Sequence, residues 1–177
     1  MKVVNDAEIV VQDREFVITR IFGAPKELVF KVWTEPEHIK KWWGPDPFTC
    51  SRAEIDLRAG GEYSYTMRSP EGQEFPPYEG KLIEVVQNEK IVYSIDAFKQ
   101  ADTWKARISH RVGPEVDFST LQSFVTVLFE DAGDNSTKLT FTQRFFNNDV
   151  RDAIVESGAV EGWTVMMQKF AEELTKA

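Results

Sequence analysis

The sequence predicts an α+β chain in which a curved antiparallel sheet of six or seven strands wraps around one long C-terminal helix. Three observations carry this. From Phe48 onward apolar residues recur at every second position, the period of a strand with one covered face. The breaks between those runs are short Gly, Asn and Asp clusters, so successive strands pair as antiparallel neighbours. After Asp149 proline disappears, and Trp163, Met166, Met167, Phe170 and Leu174 follow i, i+3, i+4, i+7, i+11, one face of a helix.

Residues 1–13 read as an N-terminal leader and 14–177 as a single domain. Arg14 to Phe22 (REFVITRIF) is β-branched and aromatic, a first strand. Pro25 opens a short helix, where its fixed φ and missing N–H cost little, and Leu28, Val29, Val32 and Trp33 give it an apolar stripe. Thr34 and Glu37 have the spacing of a capping box, so a second short helix should follow through Ile39 and Trp42 and stop at Gly44-Pro45. Five alternating runs come next. Ala53, Ile55 and Leu57 share a face, then Tyr63, Tyr65 and Met67, followed by Tyr78 to Val86, Ile91 to Asp96 and Ser123 to Glu130. Thr137 to Phe145 closes the last hairpin. Val150 and Ile154 extend the stripe of the terminal helix upstream, and Gly158 and Gly162 mark a kink, a break or a close approach within it. A sheet with one apolar face must cover it, and the terminal helix is the one element long enough to do so. This order of elements is a helix-grip fold.

The composition excludes several functions. The chain has 177 residues, 42% hydrophobic and 28% charged, with a net charge of −8 and a pI near 4.9. Duplex binding needs clustered Lys and Arg, and none occurs, so neither nucleic acid nor membrane is expected as a partner. One cysteine, Cys50, allows no internal disulfide, and no apolar run approaches a membrane span, which together place the protein in the cytoplasm as an expectation. No zinc spacing, phosphate loop or nucleophile elbow is present, so no cofactor and no metal is expected. His38 and His110 read as surface histidines, and Glu54 and Asp56 as a solvated face.

Three stretches together carry a family resemblance: RIFGAPKELVFKVWTEPEHIKKWWGP, EIDLRAGGEYSYTM, and Gly162-Trp163 opening the last apolar turns. With them the chain resembles the START-like helix-grip superfamily (SRPBCC), and within it bacterial proteins similar to the C-terminal domain of the activator of heat-shock-protein-90 ATPase. The resemblance implies a pocket for a hydrophobic or amphipathic small molecule of the lipid, polyketide or aromatic class. The departure is Ala97 to Leu121, a connection longer than family members use, with Trp104, Ile108, Val116 and Phe118 suited to an ordered hairpin or a lid.

The leading expectation is a non-catalytic binding protein whose cavity lies between sheet and terminal helix. Its candidate lining is Trp33, Trp42, Trp43, Tyr63, Tyr65, Met67, Tyr78, Tyr93, Trp104, Phe141, Trp163, Met166, Met167 and Phe170. Tyrosines suit a partly polar pocket and methionines adapt to ligands of varied shape. Two alternatives stand beside it. One is a protein-interaction or stress-response role, with a chaperone contact through an apolar patch around Trp43 and Trp104, or a homodimer contact. The other is a cyclase or hydrolase built on Arg107 or His110 with Glu79 and a tyrosine. Adjacent indoles in KKWWGP point about 100° apart on a helix, so one should seal the core and the other border the pocket. The three-residue spacing from Ile39 turns Trp42 inward and leaves Trp43 the more exposed.

Overall fold

Among the described residues nine antiparallel strands form one sheet in the order β1-β2-β3-β9-β8-β7-β6-β5-β4. The strands are β1 (Lys2–Val4), β2 (Ala7–Gln12), β3 (Glu15–Phe22), β4 (Thr49–Ile55), β5 (Glu62–Arg68), β6 (Tyr78–Val86), β7 (Lys90–Ile95), β8 (Ser123–Gly133) and β9 (Ser136–Arg144). Among the described residues four helices accompany them: α1 (Lys26–Thr34), α2 (Pro36–Trp42), α3 (Asn148–Glu156) and α4 (Ala159–Leu174). These are features of a computed structural model that describes residues 1–96, 105–106, 108–113, 117 and 121–177. No helix among them is long and apolar enough to cross a membrane.

The strand count exceeds the expected six or seven because β1 and β2 lie where the sequence reads as a leader. Asn5 and Asp6 both adopt positive φ (48° and 61°), the backbone of a tight hairpin turn. Val10 then pairs with Val17, and Val11 with Phe16, adding β2 to the edge of β3. Only Ala7 and Ile9 of β2 are buried, so its apolar alternation is too short to stand out among charged neighbours.

Pro25 caps α1 instead of starting it, and the expected capping box does not form. The residue before a proline is driven toward extended backbone, and Glu35 before Pro36 takes φ −82° and ψ 127°. Glu35 is therefore the N-cap of α2, while the Thr34 hydroxyl donates to Phe30 O at 2.8 Å within α1. Glu37 accepts from Lys40 Nζ at 3.0 Å.

The terminal helix is broken at Gly158, whose φ of 89° ends α3 and starts α4. Asn147 caps α3 by accepting from Val150 N at 2.9 Å. α4 occupies the concave side of the sheet. Its Phe170 ring sits 5.1 Å from Phe22, 5.5 Å from Trp33 and 5.2 Å from Trp42, joining α1, α2 and β3 in one core. Polar ties fix α2 against α4. Lys169 Nζ donates to Gly44 O at 2.7 Å, and His38 Nδ1 lies 2.9 Å from Glu173 Oε1. His38 is thus largely buried in a joint between helices, not the surface residue expected.

Much of the long connection, including Trp104, Arg107, Val116 and Phe118, lies outside the described residues. Within its described part Ile108 and Val112 are buried, and Arg111 pairs with Glu156 and with Asp152 on α3.

Candidate ligand cavity

Strand alternation builds one wall of a cavity of about 410 Å³. Tyr63, Tyr65 and Met67 project from β5 at period two, and Tyr93 and Ile95 do the same on β7. Register carries the wall across the sheet: Tyr93 faces Val125, Val125 faces Gln143, and Ile95 faces Ser123. The opposite wall is helical. Ile154 comes from α3, and Gly162, Trp163 and Met166 from α4, with the Ser157–Ala159 break at the rim. Pro45, Phe48, Phe75 and Pro76 complete the lining from loops.

Eight of the fourteen candidates line this cavity: Trp43, Tyr63, Tyr65, Met67, Tyr78, Tyr93, Trp163 and Met166. Trp33 and Trp42 instead border a void of about 20 Å³ deeper in the interior, room for a single water. Phe141, Met167 and Phe170 are fully packed in the core. Trp104 lies outside the described residues. Helical spacing alone does not distinguish the cavity side of α4 from its core side. Met166 and Met167 are both buried, yet only Met166 reaches the cavity.

The two indoles of KKWWGP divide the two environments. Trp42 Nε1 donates to Val32 O at 3.0 Å and its ring packs 4.8 Å from Trp33. Trp43 is the C-cap of α2, with φ −75° and ψ 135°, so the helix has already ended there. Extended backbone turns its ring into the cavity, 5.5 Å from Tyr65 and 5.3 Å from Tyr78. Trp43 is 7% exposed and Trp42 2%, so both indoles are buried and Trp43 is the more exposed of the two, on the cavity side, as the spacing from Ile39 predicts.

Sequence reasoning missed Ser123, Gln143 and Phe145. The signal was available for two of them: Gln143 and Phe145 share the phase of Phe141 along β9, so a glutamine occupies the buried face. Phe48, Phe75 and Pro76 come from loops, where no period reports orientation.

The polar groups among the described cavity residues are few and uncharged. Tyr63 OH donates to Ser94 O at 2.7 Å, and Gln143 Nε2 donates to Ser123 Oγ at 2.9 Å. The hydroxyls of Tyr65 and Tyr93 have no hydrogen-bond partner among the described residues. Burial pushes the Tyr63, Tyr65 and Tyr93 phenols well above their ordinary range, so all three stay protonated at neutral pH. No Asp, Glu, Lys, Arg or His is among the described lining residues.

The reactive groups among the described residues lie elsewhere. Burial pushes the Cys50 thiol up to about 11, and its Sγ donates to Arg52 O at 3.2 Å, so it is no nucleophile at neutral pH. His110 lies 3.6 Å from Glu156 on the exterior, whereas Glu79 lines a separate outer cleft with Glu54 and Glu62. His110 and Glu79 thus serve different surfaces, and Arg107 is outside the described residues. Among the described residues no group of His, Cys, Asp and Glu is arranged to hold a metal ion. What the arrangement can do is surround an apolar body and offer hydroxyls to one polar end.

Solved structures share this architecture. A crystal structure of a Nitrosomonas europaea protein is 26% identical, with a TM-score of 0.70, over 92% of this chain and 94% of the other. A solution structure from Arthrobacter aurescens aligns with a TM-score of 0.75 at 20% identity, covering 96% and 92%. A Rhodobacter sphaeroides crystal structure gives 0.76 at 15% identity, covering 96% and 98%, a likeness of fold alone. No curated protein matches. The model of one family, described as Activator of Hsp90 ATPase homolog 1-like protein, matches residues 23–175. That span runs from the end of β3 through all of α4 and contains every residue of the cavity, and the chain belongs to this family.

Proposed function

We propose that the protein binds a small hydrophobic or amphipathic molecule, of the lipid, polyketide or aromatic class, without transforming it. The observation that carries this reading is the 410 Å³ cavity with an aromatic wall and two tyrosine hydroxyls unpartnered among the described residues. Its volume lies within the range of about 300–1,000 Å³ typical of small-molecule sites. An interior meant only for stability would fill such space, because each void forfeits dispersion contacts along its lining. The described cavity-lining residues also include no nucleophile paired with a base, which favours holding over catalysis.

A panel of fatty acids, sterols and flavonoids, titrated against tryptophan fluorescence and thermal unfolding, tests the proposal. Trp43 and Trp163 on the lining should report occupancy, and a bound ligand should raise the unfolding temperature. Absence of both signals for every member of the panel removes the reading. The chaperone-type alternative has less support at Trp43, which is buried, while Trp104, the other residue of its expected patch, lies outside the described residues.

A further inference from the structure

Resting on that binding reading, we infer that the ligand is uncharged and carries a hydrogen-bond acceptor that sits against the Tyr65 and Tyr93 hydroxyls. The cavity offers an ion no counter-charge among the described residues. A carboxylate or ammonium taken from water into an apolar site without a partner is strongly disfavoured. The N-terminus of α4 at the rim does not reverse this, since Glu161 in its first turn places negative charge beside it. A neutral body meets no such penalty.

The acceptor follows from the tyrosines. Tyr63 stands between the other two, its ring 5.1 Å from Tyr65 and 5.2 Å from Tyr93. Its own hydroxyl is committed to Ser94 O, which leaves the outer two as the free pair. Both hydroxyls open onto the cavity space, where a carbonyl or ether oxygen of a ligand can accept from them. Burial keeps both phenols protonated, so they donate and do not repel the acceptor. Tyr65 and Tyr93 are then specificity-determining residues, while the aromatic wall supplies most of the affinity without discrimination.

Three probes of one shape separate the terms: fluorene, 9-fluorenone and fluorenone-2-carboxylate, each titrated calorimetrically into the full chain. The ketone should bind about tenfold tighter than the hydrocarbon and at least about tenfold tighter than its carboxylate. In the Tyr65→Phe/Tyr93→Phe double variant the ketone should fall to the affinity of fluorene, with fluorene itself unchanged. Equal binding of ketone and hydrocarbon, a carboxylate as tight as the ketone, or a double variant that weakens both neutral probes alike each overturns the inference. If none of the three binds but a fatty acid or sterol stabilises the protein, this inference fails and the binding proposal stands. If nothing binds, both fail.

Discussion

Trp33 and Trp163 lie nearly parallel, their planes 8° apart and their ring centroids separated by 6.4 Å, yet they stand in different surroundings. Trp33 is 5% exposed and packs against Trp42, Phe129 and Phe170. Trp163 packs on Phe141 at 4.1 Å on one side and borders the cavity on the other. Truncation of a fully packed tryptophan to alanine costs about 3–5 kcal/mol. Trp33→Ala, whose ring borders no more than a void of one water's size, should cost about 3 kcal/mol, whereas Trp163→Ala, whose ring borders the larger cavity, should cost about 2 kcal/mol. Urea unfolding of the two variants measures the difference, and equal losses would mean that Trp163 is as well packed as Trp33.

The order of strands and helices was legible because alternation and helical period are global signals that survive local errors. What was not legible depended on single residues. The 100° argument for adjacent indoles presumes that both belong to the helix, and α2 ends at Trp42. The Thr34 capping box has the right spacing, but Pro36 imposes extended backbone on Glu35 and moves the helix start. Within the site, residues on strands could be read from phase, as Tyr63, Tyr65 and Met67 were. Phe48 and Phe75, whose rings meet at 5.5 Å, sit on loops brought together only by the closed fold. Nothing in one sequence separates a lining residue from a core residue on the same helix face, which is why Met167 and Phe170 were grouped with Met166.

Two glycines in regular elements should respond to alanine in opposite directions. A Cβ on Gly80 would stand 2.0 Å from the Ser94 carbonyl oxygen, a backbone atom that cannot move without disturbing the β6–β7 pairing. Gly80→Ala should therefore destabilise by about 3 kcal/mol, at the upper end of overpacking costs. A Cβ on Gly162 would meet Pro45 Cγ at 3.6 Å and Cβ at 3.7 Å, ordinary contacts, within the first turns of α4. Gly162→Ala should stabilise by about 0.5–1 kcal/mol through helix propensity and lower unfolded-state entropy. Thermal unfolding of both variants decides, and the same sign for both would refute the account.

Stability should fall on the alkaline side. The Cys50 thiol, pushed up to about 11, and the Tyr63, Tyr65 and Tyr93 phenols hold their protons longer in the folded chain than in the unfolded one. Their contribution is fully present below the unfolded values, about 8.5 for cysteine and about 10 for tyrosine. It is lost as pH rises from there toward the folded values, because the unfolded state then binds fewer protons. Denaturant midpoints should decline from about pH 9 upward, with Cys50→Ala flattening the first part of the decline. Absorbance near 295 nm should show these three phenols ionising only together with unfolding. Reversible ionisation of all four tyrosines at the ordinary range in the folded protein would contradict their burial.

Arg20 presents the reverse situation, a charge enclosed with too few partners. It is 8% exposed on the concave face of β3, and only Nη2 finds an acceptor, Gln168 Oε1 at 3.2 Å. Its Nε and Nη1 are buried with no hydrogen-bond partner, although the guanidinium carbon stands 5.2 Å over the Phe22 ring. Desolvation lowers its pKa, with Asp6 opposing the shift from the β1–β2 turn. Replacing a poorly partnered buried ion by an apolar side chain of similar length is often neutral or favourable by about 1–4 kcal/mol. Arg20→Met should accordingly stabilise, by about 1 kcal/mol after the lost cation–π contact and Gln168 bond are subtracted. Gln168 is only partly buried on α4 and can turn to water when its partner is removed. Chemical unfolding of Arg20→Met beside Arg20→Lys checks this. The lysine variant keeps the charge but has no planar fork to reach Gln168, so it should be the least stable of the three. An Arg20→Met protein less stable than the parent by more than about 1 kcal/mol would show that the guanidinium contributes through contacts that its burial conceals.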